Sequence, residues 1–433
     1  MTLRGLSARQ GATVGSLKLS SLVYALGLFG IALMLMRAQV DPDAWWHLLV
    51  GQGILETGRV PTTDVISWWS AGTPWISPSW LNEVLLYISN SIAGPMGQSL
   101  LYLPVYVAIA VLVDRVIRLT SPWLPPAWRL VTLAVMGVAL IPVVTPRAGN
   151  FDLLFSLFAL YGWLKFRRDG SKVALWLMPV AAILWANLHG GGVMVYFALA
   201  LAIAVGTFVD RRRNTAWRWR PFVLSVLLTY LALGVNPYGA APWIYPWSTI
   251  LSSAQTSTIA EWRSPDFAQV SLFGLRVQVA FGLVIGLARG RMTDAAGAFA
   301  TAGMLFLSLG AIRYVLICVP LMAIWFAPAM IRGAGSYVRS AWPTLRLRPA
   351  GAYAELAVVG AIVVFGTLVS IGVLPAGQER MFAARYPSAT LDALRDCQFD
   401  RVWTDYGWGG WTAYQTGWQV GPYGAADALG DER

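Results

Sequence analysis

"LSSLVYALGLFGIALMLM", Leu19 to Met36, runs directly into "RAQVDPDAWWH", Arg37 to His47. The first stretch holds only Ser20 and Ser21 as strongly polar residues. It approaches the roughly 20 apolar residues that a helix needs to cross a hydrocarbon core about 30 Å thick. Arg4, Arg9 and Lys18 precede it, as in a signal peptide. No small-x-small cleavage site follows, so the run reads as an uncleaved anchor. The second stretch then sets two aspartates, a histidine and a tryptophan pair at the edge of that first crossing.

Composition points the same way. Of 433 residues, 57% are hydrophobic and only 12% charged, against about 25% charged in a soluble domain. Such a chain is solvated by lipid, so a bilayer is its first partner. The net charge of +11 sits mainly in short loops between apolar runs, which argues against nucleic acid. Cys318 and Cys397 are too far apart in sequence to suggest a metal spacing or a disulfide framework. No Walker loop, dinucleotide fingerprint, Gly-x-Ser-x-Gly elbow or His-Glu-x-x-His site occurs.

Ten further runs read as spans: Leu100–Val113, Leu130–Val144, Leu153–Leu164, Val173–Trp185, Val193–Val209, Phe222–Val235, Val270–Leu287, Ala296–Leu309, Tyr314–Met330 and Ala354–Leu374. Leu153–Leu164 is short enough for a half-span or one arm of a hairpin. The expected fold is an all-α polytopic membrane protein of about 11 transmembrane helices. Residues 1–374 form the membrane domain, with interfacial helices in a first outer loop at 37–98. Residues 375–433 form an extracytoplasmic segment with a small α/β lobe, or belong to a truncated chain. There, "DRVWTDYGWGGWTAYQTGW" alternates aromatics with Gly and Asp and reads as strand–turn–strand.

Lys and Arg stay on the cytoplasmic side. Five basic loops, from "DRVIRLTSPWLPPAWR" to "IRGAGSYVRSAWPTLRLR", follow even-numbered spans. With a cytoplasmic N-terminus all five lie inside a plasma membrane. The opposite face then collects Asp41, Asp43, His47, Glu83, Arg147, Asn150, Asp152, Asn187, His189, Asn236, Glu261, Arg263 and Arg313. Ionisable groups near membrane depth are costly unless they face a cavity or one another, so their gathering suggests one site.

Each motif also has a plainer reading. Asp41 fits an N-cap, with Pro42 at the first helical position and Asp43 in the first turn. Asp43 and His47 share one helical face at i, i+4, and Trp45 and Trp46 suit a headgroup layer on a helix lying along the membrane. As a carboxylate, Asp43 can instead serve as a general base, or with Asp41 bind a divalent cation such as Mg or Mn. Glu83 heads a second interfacial helix, as a first-turn acid or a group orienting the acceptor. Arg147 and Arg313 either snorkel separately or clamp a phosphate together. His189, between Asn187 and a glycine turn, suits a phosphate or a sugar hydroxyl. In "GVNPYGAAPWIYP", Asn236 and Tyr238 begin a loop whose Tyr238, Trp243, Tyr245 and Trp247 are either an aromatic belt or stacking surfaces. The loop goes on to Glu261 and Arg263 and is longer than a connection requires.

Taken together, "DPDAWWH", "SWLNEVLL", "NLHGG", "NPYG", "EWRSP" and "DYGWGGW" resemble the GT-C class of membrane glycosyltransferases, and more closely a broad group of poorly characterised bacterial membrane proteins related to it. The resemblance spans nearly the whole chain. It implies a polyprenyl-phosphate-linked sugar donor, a glycan, lipid or protein acceptor, and an outer-loop aspartate acting as base or metal ligand, carried to Asp43 first and Asp41 second. Arg147, Arg313, His189, His47, Asn187, Asn236, Tyr238, Glu261 and Arg263 are then donor-side candidates. "WTDYGWGGW" also resembles the Trp-Trp-Asp-Tyr-Gly signature of oligosaccharyltransferases, with Thr404 in place of the second tryptophan. That makes Trp403, Asp405 and Tyr406, with Glu83, acceptor-side candidates. Two other readings stay open: a lipid-carrier binding or transport protein without turnover, and a glycan polymerase or ligase using a lipid pyrophosphate.

Overall fold

A computed structural model describes residues 21–210, 217–266, 294–341, 352–397 and 399–425, with isolated positions between 268 and 279. The first apolar run is helix α1 (Ser21–Leu35). After it come α2 (Ala44–Thr57), α3 (Trp80–Leu100), α4 (Leu103–Thr120), α5 (Pro126–Leu140), α6 (Gly149–Asp169), α7 (Val173–Leu188), α8 (Val193–Val209) and α9 (Trp219–Ala232). Two short helices follow, α10 (Ala241–Leu251) and α11 (Ser253–Thr258). Then come α12 (Ala295–Gly310), α13 (Val315–Ala341) and α14 (Ala352–Ser370).

Among the described residues, four helical stretches are long and apolar enough to cross a membrane, and five shorter apolar helices accompany them. The expected span Val270–Leu287 lies largely outside the described residues, as does most of the basic segment 288–294. Leu153–Leu164 is the middle of α6, a continuous helix of 21 residues that packs against α7. Tyr353–Val373 is the least covered of the long stretches, with 22% of its apolar window buried. An apolar helix that packs so little of itself against protein suits a lipid-facing position.

The connections separate to two ends of the bundle. At one end Asp114 (α4) meets Arg118 and Arg129 (α5), and Arg167 (α6) pairs with Asp294 ahead of α12. At the other end the links α1–α2, α5–α6, α7–α8 and α12–α13 come together, and these carry Asp41, Asp43, Arg147, His189 and Arg313.

The segment after α14 continues through α15 (Pro375–Arg385), α16 (Ser388–Leu394), β1 (Arg401–Val402), α17 (Gly409–Thr416) and β2 (Gln419–Val420), with β1 and β2 parallel. "DRVWTDYGWGGWTAYQTGW" is therefore not strand–turn–strand. Its aromatic–glycine alternation ends in an eight-residue helix, and Gly410 lets this α17 press against the backbone of Trp46. The tail also interlocks with the first loop. Ser67 Oγ donates to Gly421 O at 2.6 Å and Tyr423 Oη to the buried Asp64 carboxylate at 3.0 Å. This packing removes Trp45 and Trp46 from any headgroup layer, since both are under 8% exposed. Trp45 sits among Phe382, Tyr386 and Tyr414, and Trp46 against Trp75 and Tyr423. Helix α2 is thus held between α3 and α17 rather than lying free along a surface.

Candidate functional site

The chain leaving α1 is pinned before it reaches the acids. Gln39 donates to Pro146 O at 2.9 Å, and its backbone N–H donates to Gln378 Oε1 at 3.0 Å. The following turn places Asp41 and Asp43 together, with Asp43 N donating to Asp41 Oδ1 at 3.1 Å. Helix α2 starts only at Ala44, so Asp41 is not its cap and keeps its second oxygen for Arg147. In the α5–α6 link, buried Asn150 at the start of α6 donates to Thr145 O and Arg147 O at 2.7 and 2.9 Å and so fixes the turn carrying Arg147.

Arg147 meets three carboxylates. Its Nε lies 3.3 Å from Asp41 Oδ2, its Nη2 3.6 Å from Asp43 Oδ2, and its Nη1 pairs with Glu261. Burial works against the guanidinium charge, but Asp41 and Asp43 outweigh it and hold Arg147 above its ordinary range. Burial and then the neighbouring Asp41 push the Asp43 carboxyl up to about 6, against a smaller downward pull from Arg147, His47 and Trp46. Gly424 closes over the pair: a Cβ there would stand 2.0 Å from Asp43 Oδ1.

Asp41, Arg147, Asn150 and Glu261 line one wall of a cavity of about 440 Å³, and Asp43 adjoins that wall through Asp41 and Arg147 without lining it. Across it, the turn Gly190–Gly192 presents His189, whose Nδ1 lies 2.8 Å from Asp152 Oδ2. Asp152 also accepts from Trp185 Nε1 at 2.8 Å. Gly192 is needed here, because a Cβ would stand 2.1 Å from the Trp185 ring. Arg313, in the turn Ile312–Tyr314, stacks over Trp262 at 4.3 Å. Among the described residues no carboxylate pairs with it. Val143, Leu316 and Ile317 supply an apolar side, and Arg385 of α15 reaches the cavity from the tail.

Several candidates are engaged elsewhere. His47 Nδ1 contacts Glu83 Oε1 at 2.7 Å, and fully buried Glu83 accepts from Ser77 Oγ at 2.5 Å. Glu83 therefore anchors α2 on α3 and does not line the cavity. Asn187 accepts from Trp80 Nε1 and donates to Ile183 O and Val235 O. Asn236 closes its own turn, and Tyr238 Oη bridges Pro61 O and Ser77 N at 2.9 Å each. Arg263 is exposed and donates to Ser257 O. Trp403 is 60% exposed and packs on Trp69. Asp405 caps Gly407 N, while Tyr406 Oη donates at 2.8 Å to Gly424 O, the glycine that closes over Asp43. Of the loop aromatics, Tyr245 lines the cavity, Trp243 stacks on Tyr230, and Trp247 is exposed. Gln39, Trp262, Arg385 and Gly424 escaped the sequence reading. Only the run Glu261-Trp262-Arg263 offered a signal for any of them.

The donor set does not fit a divalent cation. Oxygen ligands of such an ion converge on one point at about 2.0–2.6 Å. Here Asp41, Asp43 and Glu261 instead address three different nitrogens of one guanidinium. Among the described residues no group of three His, Cys, Asp or Glu side chains comes together to hold a metal.

No family profile matches this sequence, and no curated protein matches it in sequence. Solved structures match it in fold. The oligosaccharyltransferase AglB from Archaeoglobus fulgidus, in complex with an inhibitory peptide and a dolichol-phosphate, has a TM-score of 0.54 at 11% identity over 93% of this chain. This chain spans 64% of that one. ArnT from Cupriavidus metallidurans, in the apo state, has a TM-score of 0.53 at 15% identity, covering 98% of this chain and 87% of its own. Both are of the GT-C class. At such identities the likeness establishes a shared architecture: this chain has the GT-C fold.

Proposed function

We propose that the protein is an integral membrane glycosyltransferase, moving a sugar from a polyprenyl-phosphate donor to an acceptor hydroxyl on the extracytoplasmic side of the plasma membrane. The observation that carries this reading is the cavity itself. It has carboxylates on one wall, Arg313 with no carboxylate partner among the described residues on another, and an apolar side suited to a lipid chain. AglB, which shares the fold, was solved with a dolichol-phosphate.

In this reading Asp43 takes the proton from the acceptor hydroxyl as its oxygen attacks the anomeric carbon. The bond from that carbon to the phosphate oxygen breaks, and polyprenyl phosphate leaves with the electron pair. Arg313 receives the growing negative charge on the phosphate. The Trp262 face beneath Arg313 holds the guanidinium without neutralising it. Arg147, already paired with three carboxylates, organises the acids rather than clamping the phosphate. His189, beside Asp152, positions a sugar or phosphate oxygen. A carboxyl near pKa 6 is matched to such work, because a base tuned close to the working pH both ionises and accepts a proton readily.

The test is transfer by the purified full chain from radiolabelled polyprenyl-phosphate sugars, beside the matching lipid pyrophosphate sugars. Turnover of a monophosphate donor supports the proposal. Binding of every donor with turnover of none means a carrier-binding protein, and turnover confined to pyrophosphate donors means a polymerase or ligase.

A further inference from the structure

Arg147 occupies the centre of the acidic wall in a way that its charge alone does not require. A lone snorkelling arginine would turn its head to water. This one lies with its side chain about one-third exposed and each edge of the guanidinium facing a different acid. A guanidinium is planar, carries five N–H donors in a fixed fork and stays protonated at any working pH. It can therefore join three carboxylates spread around a plane, which a compact ion does only when they converge.

Its own position is built in. Asn150, 2% exposed, holds the Thr145–Arg147 turn by two hydrogen bonds from its side chain. The three acids come from two segments far apart in the chain. Asp41 and Asp43 lie in the first loop, pinned through Gln39, and Glu261 lies in the turn Ala260–Trp262. That turn is itself tied to the Arg313 segment by Ile312 N donating to Arg263 O at 3.0 Å. Arg147 thus connects the acid side of the cavity to the segment that carries Arg313.

We propose that Arg147 is the resident cation of this site, bridging Asp41, Asp43 and Glu261 in the role a divalent metal would otherwise fill, and that the chain works without such a metal. The part of this inference that concerns catalysis rests on the transferase reading above; the part that concerns metal binding does not. Arg147 is a positioning residue. It holds Asp43 next to Asp41, which lines the cavity, and offsets part of the negative charge that would otherwise repel a phosphate.

The experiment uses Mn2+ as the probe and the full chain in detergent, with free Mn2+ read by its paramagnetic resonance signal. Wild type is expected to leave added Mn2+ free at concentrations up to about a hundred micromolar. Arg147→Met, which keeps much of the side-chain bulk and removes the charge, empties the space among three carboxylates. It is expected to take up one Mn2+ per chain at least tenfold more tightly than wild type, and adding Asp43→Asn should remove that gain. Uptake of one Mn2+ by wild type that Asp43→Asn abolishes overturns the proposal, and this reading needs neither the Arg147 variant to fold nor any transfer to occur. Where transfer is measurable, its rate should be the same with EDTA as with Mn2+; loss in EDTA with recovery on adding Mn2+ also overturns it.

Discussion

The two ends of the helix bundle each hold an acid–arginine cluster, and the clusters differ in what surrounds them. At one end Asp114 is 2% exposed and saturated. It accepts from Tyr24 and pairs with Arg118 at 2.7 Å and Arg129 at 2.9 Å, while Arg129 also donates to Leu124 O. At the other end Asp43 is 24% exposed, its nearest cation stands off at 3.6 Å, and its neighbours Asp41 and Arg147 line a cavity. The first cluster has one acid for two arginines and a ring stacked against both cations. The second has three acids for one arginine. A closed, satisfied network clamps helices; an open one with surplus carboxylate has a base to spare. Residue type is the same in both, so function here is a matter of what remains unsatisfied.

The sharpest way to break this comparison is at the acids themselves. Asp43→Asn should lower transfer by about 10²–10⁴, the usual worth of a positioned base, with the melting temperature of the purified chain unchanged. Asp114→Asn should do the reverse. Removing one partner of a buried pair costs about 3–5 kcal/mol, which a denaturation curve in detergent would register, while transfer per folded molecule stays at the wild-type rate. Arg313→Gln should weaken donor binding about 10- to 100-fold, matching the about 1.5–3 kcal/mol of a charge-assisted hydrogen bond. Inhibition by the sugar-free polyprenyl phosphate would report it, and unchanged inhibition would remove Arg313 from the phosphate.

A pH profile probes the open end more gently. The groups facing Asp43 are Asp41, Arg147, His47 and Trp46. With its carboxyl raised to about 6, the base is ionised above that pH and protonated below it. Transfer should be level above about pH 7 and fall toward tenfold per unit under pH 6, as one added proton requires. A profile flat down to pH 4.5 would separate Asp43 from proton removal. Tyr406→Phe should have the smallest effect. It deletes one hydrogen bond to Gly424 O, worth about 0.5–1.5 kcal/mol, and should lower the melting temperature slightly with little change in rate.

The helices were the legible part of this molecule. Val193–Val209 was readable to its end residues because an unbroken apolar run leaves little choice, and α8 has those bounds. Asp43, Arg147 and Arg313 were legible as suspects because each stands immediately after or before an apolar run, where charge is costly. What did not show was which suspects meet. Glu83 looked like an acceptor-side acid, and its partner is His47, 36 positions away. Asn187 and Tyr238 read as ligand groups and instead hold turns, donating to the backbone carbonyls of Ile183, Val235 and Pro61. Gln39 and Gln378, 339 positions apart, carry no local pattern at all. The tail reads as strand–turn–strand because alternating aromatics and glycines have the period of a strand. The close approach of α17 to Trp46 is tertiary, and only the folded chain reveals it.

The most direct measurement sets the two clusters side by side: transfer rate per folded molecule and melting temperature, taken on the same preparations of wild type, Asp43→Asn and Asp114→Asn with a polyprenyl-phosphate sugar that wild type turns over. The account predicts a crossed result, with Asp43→Asn stable and inactive and Asp114→Asn destabilised and active. If Asp43→Asn retains the wild-type rate, or loses it only in step with its melting temperature, then Asp43 is a structural acid like Asp114 and the central claim fails.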